Sequence, residues 1–138
     1  MKIIVDTCVW SLWLRRRNQS LLSSNERQTL TDLRLAVENR QATILGPIRQ
    51  EILSGIRDAA QFAKTASLLD PFRDEPIEPS DYIEAAKLFN LCRDRGIQCR
   101  PVDILICAVA TRNQYLILTC DQVLERCIGV LRTAGIIS

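Results

Sequence analysis

Short aliphatic, β-branched runs alternate along this chain with longer stretches whose apolar residues recur at helical spacing. No other feature constrains the fold as much. Lys2 to Val5 is an apolar run ending at Asp6 and reads as a buried strand. Residues 43–45 and 115–118 read as further strands, with a last one over 129–131 and a short one over 75–78 between prolines. Predicted helices fill the gaps: residues 8–17, a helix opened by the capping box Ser23 to Glu26, one from Pro47 to Gly55, then 59–69, 81–95, 103–112 and 121–127. The expected inward faces are Leu30, Leu33 and Val37 in the second helix, Phe62, Ala66 and Leu69 in the fourth, and Tyr82, Ala85, Ala86, Phe89 and Cys92 in the fifth, which Ser80 caps and Gly96 ends. Residues 103–112 are apolar on nearly all sides, as in a buried helix. Strands alternating with helices build an α/β domain around a parallel sheet. With 138 residues and no repeat or Gly/Ser/Pro linker, the chain is read as one domain spanning 1–138.

The chain has no histidine. Ser-His-Asp and Cys-His catalysis, His-Glu-x-x-His zinc sites and histidine pH switches are therefore excluded. Carboxylates, Lys/Arg, hydroxyls or thiols must carry any chemistry. None of the six cysteines has Cys-x-x-Cys spacing, against a zinc ribbon or a thioredoxin motif. Asp6 interrupts the first apolar run too early for a signal-peptide core. The expected setting is a reducing cytoplasm, with thiols rather than a disulfide framework and Cys107 as a small core residue. No stretch approaches the ~20 apolar residues of a membrane span. The basic residues are mostly arginine, whose planar fork suits phosphate. Arg15, Arg16 and Arg17 form the only basic run, fitting either a phosphate contact or a helix C-terminus. The acid-rich segment 70–84 reads as a solvated loop and helix start.

Ligands of parallel α/β sheets bind outside the carboxyl ends of the strands. Four acids fall at such junctions. Asp6 ends the first strand, Glu51 lies one turn into the helix after the second, Asp103 opens the buried helix, and Asp121 follows Leu116-Ile117-Leu118-Thr119-Cys120. Singly, Asp103 and Asp121 fit helix-terminal charges and Glu51 a solvated one. Together, in this order, they can meet on one edge. Clustered carboxylates raise one another's pKa unless a cation intervenes. An all-oxygen set favours Mg²⁺ or Mn²⁺, and the chemistry such a site serves best is phosphoryl transfer.

The segments Ile4-Val5-Asp6-Thr7-Cys8-Val9-Trp10, Pro47-Ile48-Arg49-Gln50-Glu51-Ile52-Leu53-Ser54-Gly55, Val102-Asp103-Ile104-Leu105-Ile106-Cys107-Ala108-Val109-Ala110 and Leu118-Thr119-Cys120-Asp121 together resemble a PIN-domain ribonuclease, within that superfamily a VapC-type toxin of a bacterial type II toxin–antitoxin pair. The resemblance covers essentially the whole chain. It implies a three-layer α/β/α fold with a central, mostly parallel sheet. It implies that Asp6, Glu51, Asp103 and Asp121 form a catalytic quartet binding Mg²⁺ or Mn²⁺, with Thr7 and Thr119 as supporting hydroxyls. It implies hydrolysis of RNA, tRNA or rRNA, to a 5′-phosphate and a 3′-hydroxyl, with Arg15, Arg16 and Arg17 on the RNA backbone. Its partners would be a cognate VapB-type antitoxin and a second copy in a homodimer, with Trp10, Leu12, Trp13 and Leu14 toward one of them. One departure is that Val123-Leu124 stands where such proteins often carry Asp-Phe.

Three alternatives compete. A haloacid-dehalogenase-like phosphatase needs Asp-x-Asp, and Asp6-Thr7-Cys8 breaks it. A phosphorelay receiver needs paired acids after the first strand and a late lysine, and no lysine follows Lys87. A non-toxin PIN nuclease, or a silent PIN-like module for RNA or protein, would share the fold; four intact acids speak for catalysis.

Overall fold

The computed structural model describes residues 1–15 and 21–138. Its elements are β1 (Ile3–Val5), α1 (Thr7–Leu14), α2 (Ser24–Glu38), β2 (Ala42–Thr43), α3 (Gly46–Ser54), α4 (Ala59–Leu69), α5 (Pro79–Asp94), α6 (Pro101–Asn113), β3 (Leu116–Leu118) and α7 (Gln122–Thr133). The strands lie in the order β2-β1-β3 and both pairings are parallel. Ile3 and Ile4 face Ala42 and Thr43 on one side, and Ile3 to Val5 face Leu116 to Leu118 on the other. All three strands therefore end at the same edge. The Asp6 amide donates to the Leu118 carbonyl at 2.9 Å, carrying the ladder one residue past β1 and fixing the backbone of Asp6.

Helices pack around this sheet in the expected α/β/α arrangement. α1 lies against α2 and α3, while α5, α6 and α7 pack on one another. The core runs through the middle: Ile4, Val5, Trp10, Ile48, Ile106, Leu124 and Leu131 are all buried. α6 is buried from Asp103 to Ala110, as its uniform apolarity predicts. Gly96 ends α5 in the left-handed region at φ +84°, which glycine adopts without the cost a Cβ would bring. The Ser23–Glu26 capping box forms in both directions.

Several elements differ from the sequence reading. No strand forms over 129–131, because α7 continues through it. Leu124, Cys127, Ile128 and Leu131 are buried at helical spacing, and burying that stripe outweighs a three-residue β-run. No strand forms over 75–78 either. The Glu75 amide bonds the Ile44 carbonyl at 2.8 Å, but Pro76 and Pro79 supply no donors to extend the ladder. β2 ends at Thr43 because Leu45 already serves as the N-cap of α3.

The inward faces of three helices are turned from those expected. α2 buries Leu33 and Ala36, leaving Val37 exposed. α4 buries Thr65 and Leu69 and exposes Phe62. α5 starts from Glu78 rather than Ser80 and buries Asp81, Ala85, Leu88 and Cys92, leaving Tyr82 exposed. Polar chemistry turns α5. Asp81, 2% exposed, receives Arg112 Nε at 2.8 Å on one oxygen and an Arg112 amino group at 2.9 Å on the other. That fork holds the Asp81 carboxyl below the usual carboxylate range and ties α5 to α6.

The acid-rich segment is thus not merely solvated. Glu75 is also buried, accepting from Thr43 Oγ1 and Tyr115 Oη, both at 3.1 Å, and from Lys2 Nζ at 3.2 Å. Lys2 and Tyr115 immediately precede β1 and β3, so this cluster lies toward the amino edge of the sheet, away from the acid-bearing ends.

Two further expectations are corrected. Cys99 and Cys127 form a disulfide, closing 28 residues between the α5–α6 loop and α7. Spacing could not reveal it, because only the fold brings their Cα atoms to 6.5 Å, within bridging reach. Cys107 is a buried free thiol, as expected. Trp10 belongs to the core rather than to a binding surface. It is fully buried, its indole donates to the Val5 carbonyl at 2.9 Å, and it stacks at a tilt on Phe72. Trp13 is half-buried beside it.

Candidate active site

The sheet's carboxyl edge opens into a cleft of about 420 Å³ lined by Asp6, Thr7, Cys8, Glu51, Arg100, Asp103 and Asp121, with Pro101 and Val102. All four acids expected at the site line it, but they do not stand alike. Asp6 and Asp103 are buried, Asp121 is half-buried at its entrance, and Glu51 on α3 is exposed at the rim.

Asp6 caps α1. Its Oδ1 accepts the Thr7 amide at 2.7 Å, and its Oδ2 accepts Thr119 Oγ1 at 2.8 Å and the Cys8 thiol at 3.6 Å. Burial pushes the Asp6 carboxyl above its ordinary value, and the bonds from Thr119, Thr7 and Cys8 only partly offset that. Asp121 caps α7, its Oδ1 accepting the Val123 amide at 2.8 Å and the Leu124 amide at 3.1 Å. Burial would raise its pKa, but the Leu124 amide and the Arg100 guanidinium outweigh it and hold Asp121 below the ordinary value. Asp103 occupies the first turn of α6, where the helix dipole favours an acid. Burial still pushes its carboxyl up, despite Arg100. Capping and cleft-lining are not rival roles here: the cap occupies one carboxylate oxygen and leaves the other to partners in the cleft, Thr119 and Cys8 for Asp6 and Arg100 for Asp121.

Thr119 connects two of the acids. It donates to Asp6, and its Oγ1 accepts the Asp121 amide at 3.0 Å. Thr7 differs: its Oγ1 is buried and has no hydrogen-bond partner among the described residues. Arg15 ends α1, its backbone amide and Nε both returning to the Ser11 carbonyl. Arg16 and Arg17 lie outside the described residues.

The sequence reading missed two members of the cleft. Cys8 accepts the Cys120 amide at 3.1 Å and lies 3.6 Å from Thr119 Oγ1, so its sulfur sits among the groups that orient Asp6. Arg100, the N-cap of α6, donates from Nε to Asp103 Oδ2 at 3.0 Å, and one amino group reaches both Asp103 Oδ1 at 3.5 Å and Asp121 Oδ2. Its position three residues before Asp103, next to a proline at the helix start, was the available signal.

The donor set fits a hard divalent cation. It is all oxygen, Arg100 is the one cation among its described lining residues, and the buried Thr7 hydroxyl lacks the partner that an ion's water would supply. Among the described residues, no three of these carboxylates bring oxygens within 4.8 Å of one another. Elsewhere, the buried Cys92 thiol lies beside the Cys99–Cys127 disulfide, all three sulfurs within 4.8 Å.

No individual curated protein matches the chain. The sequence profile of the PIN domain matches residues 3–128, which include every strand, every cleft-lining acid and most of α7. With that match and the parallel α/β/α fold around an acid-lined edge, the chain belongs to the PIN domain family.

Proposed function

We propose that this PIN domain is a metal-dependent endoribonuclease, the toxin of a VapBC-type toxin–antitoxin pair. PIN domains are a nuclease fold family and commonly use divalent metals. The observation that carries the reading is the convergence of Asp6, Asp103 and Asp121 on one cleft, with Glu51 at its rim. Burying like charges is costly, and helix capping by Asp6 and Asp121 does not require all of these acids to share one cleft.

Asp6, Glu51, Asp103 and Asp121 would hold Mg²⁺ or Mn²⁺. The bound ion would lower the pKa of a water and offset charge on the scissile phosphate. The chain's own contribution is orientation. Thr7, Thr119 and Cys8 fix both oxygens of Asp6, and the amides of α7 fix one oxygen of Asp121. Such supporting bonds aim a ligand without moving it. Glu51 completes the set from the rim. The chain has no histidine, so the proton of the attacking water passes to a carboxylate. In-line attack on phosphorus would break its bond to the 3′-oxygen, which takes up a proton from solvent, leaving a 5′-phosphate and a 3′-hydroxyl. Arginines of the 15–17 run hold the RNA backbone.

Partners follow from the same reading: tRNA or rRNA as substrate, a VapB-type antitoxin, and a second copy of the chain. An apolar surface groove lined by Pro47, Tyr82, Ala86, Phe89 and Leu105 supports a protein interface. So does a groove between α1 and α2 lined by Trp13, Leu30 and Val37. No helix among the described residues is long and apolar enough to cross a membrane; we assign the protein to the cytoplasm, with the Cys99–Cys127 disulfide unusual for a reducing compartment.

The test is cleavage of total tRNA and rRNA with Mg²⁺, comparing wild type with Asp6→Asn. Loss of cleavage in Asp6→Asn and in EDTA is expected; cleavage that persists in either sinks the metal mechanism. Growth arrest on expression, relieved by a small neighbouring gene, separates a toxin from another PIN nuclease.

A further inference from the structure

Arg100 occupies what a metal ion would need. Asp121 commits Oδ1 to two amides of α7, so Oδ2 is the oxygen it turns to the cleft, and Arg100 takes it. Both oxygens of Asp103 also face Arg100. A cation drawing on these two acids must displace the guanidinium or share their remaining lone pairs with it.

The residue is built for displacement. Its backbone is anchored: Pro101 follows it at the start of α6, and Cys99 before it is bonded to Cys127 of α7. Its side chain is 58% exposed, whereas that of Asp103 is 4% exposed. The acid is therefore fixed beneath, and the guanidinium lies over it at the entrance, its exposed side bordered by solvent rather than by packed side chains. Once the acids are neutralised by a divalent ion, the arginine loses its partners. It then stands at the cleft entrance with a planar fork of donors, a geometry matched by a phosphodiester.

Resting on the reading above, we propose that Arg100 is an exchangeable counter-ion. It holds Asp103 and Asp121 in the metal-free protein, yields them to the incoming divalent cation, and then binds a phosphate of the RNA. Arg100 is in this sense a substrate-binding residue as well as a brake on metal loading. The brake keeps the acid cluster from standing uncompensated before metal arrives, and the release couples metal loading to the appearance of a phosphate site.

The two roles move two affinities in opposite directions, which a purely structural arginine would not do. Mn²⁺ binding is measured without RNA, by the loss of the free-ion electron paramagnetic resonance signal. Binding of total tRNA is measured with Ca²⁺ in place of Mg²⁺. Both are compared for wild type, Arg100→Ala and Arg100→Lys, with circular dichroism as the folding control. Removing one positive charge a few ångströms from the site is expected to tighten Mn²⁺ binding by roughly tenfold. Loss of the guanidinium is expected to weaken tRNA binding by about tenfold. Arg100→Lys, which keeps the charge and loses the fork, falls between on both scales; if Arg100→Ala fails to fold, this variant carries the test. Unchanged or weaker Mn²⁺ binding in a folded Arg100 variant overturns the exchange, and unchanged tRNA binding overturns the phosphate role. A wild type that binds no Mn²⁺, with Asp6→Asn indistinguishable from it, instead overturns the metal reading on which the proposal rests.

Discussion

Replacing Thr119 by valine probes how far the cleft depends on bonds rather than on its acids alone. Thr119 has one hydroxyl and spends it twice, donating to Asp6 Oδ2 at 2.8 Å and accepting the Asp121 amide at 3.0 Å. Valine keeps the branched shape and removes both bonds. A hydrogen bond to a charged group is worth about 1.5–3 kcal/mol. The bond from Thr119 is also the largest influence restraining the pKa of Asp6 against burial. Its loss raises the Asp6 pKa further, so the proton competes with metal for Asp6 up to a higher pH. At 1.4 kcal/mol per decade, metal affinity falls by roughly 10- to 100-fold. Thr119→Val should therefore need more Mg²⁺ for half-maximal cleavage, and the acid limb of its rate profile should move to higher pH. Thr119→Ser retains the hydroxyl and should restore both. Mn²⁺ titration and cleavage across pH, with circular dichroism to confirm folding, measure this. A folded Thr119→Val with wild-type Mn²⁺ affinity and an unmoved acid limb refutes the view that Asp6 works only when so oriented.

Two other outcomes follow from groups inside and outside the cleft. Arg112→Met leaves Asp81 buried without its fork and should cost about 3–5 kcal/mol in urea unfolding; the Asp81 pKa is lowered in the folded state, so the pair's contribution is full above the ordinary carboxylate range and disappears as pH falls through the lowered value. Asp6 and Asp103 behave in the opposite sense, because a raised folded pKa gives stability that is lost as pH rises through it; the melting temperature of the metal-free protein should fall as pH rises above the ordinary carboxylate range, and Mg²⁺ should offset that fall, whereas a fall unchanged by Mg²⁺ would place the ion elsewhere.

Much of this protein was legible one residue at a time. Local chemistry settles where β1 and α6 lie, because a β-branched run and a uniformly apolar helix have no better alternative. The same holds for Gly96 at the end of α5 and for the Ser23–Glu26 box, whose bonds span three residues. The four acids were legible for a related reason. A parallel sheet ends all its strands at one edge, so an acid at a strand's end or the next helix's start is placed by topology before any side chain is seen.

What the sequence could not state are relations between distant residues. The rotation of α5 was decided by Arg112, 31 positions from Asp81, because a buried ion pair outweighs the burial of Tyr82. The length of α7 was decided by what Leu131 packs against. The Cys99–Cys127 bond exists because a loop meets a helix. The cleft shows the same division. The sequence placed Asp6, Glu51, Asp103 and Asp121 at one edge, but the tertiary structure buried two of them, left Glu51 at the rim and linked Asp6 to Asp121 through Thr119. It also set the Arg100 guanidinium over Asp103 and Asp121. Spacing along a chain fixes which face a residue can occupy, whereas charge compensation across a cleft depends on distances that only packing sets.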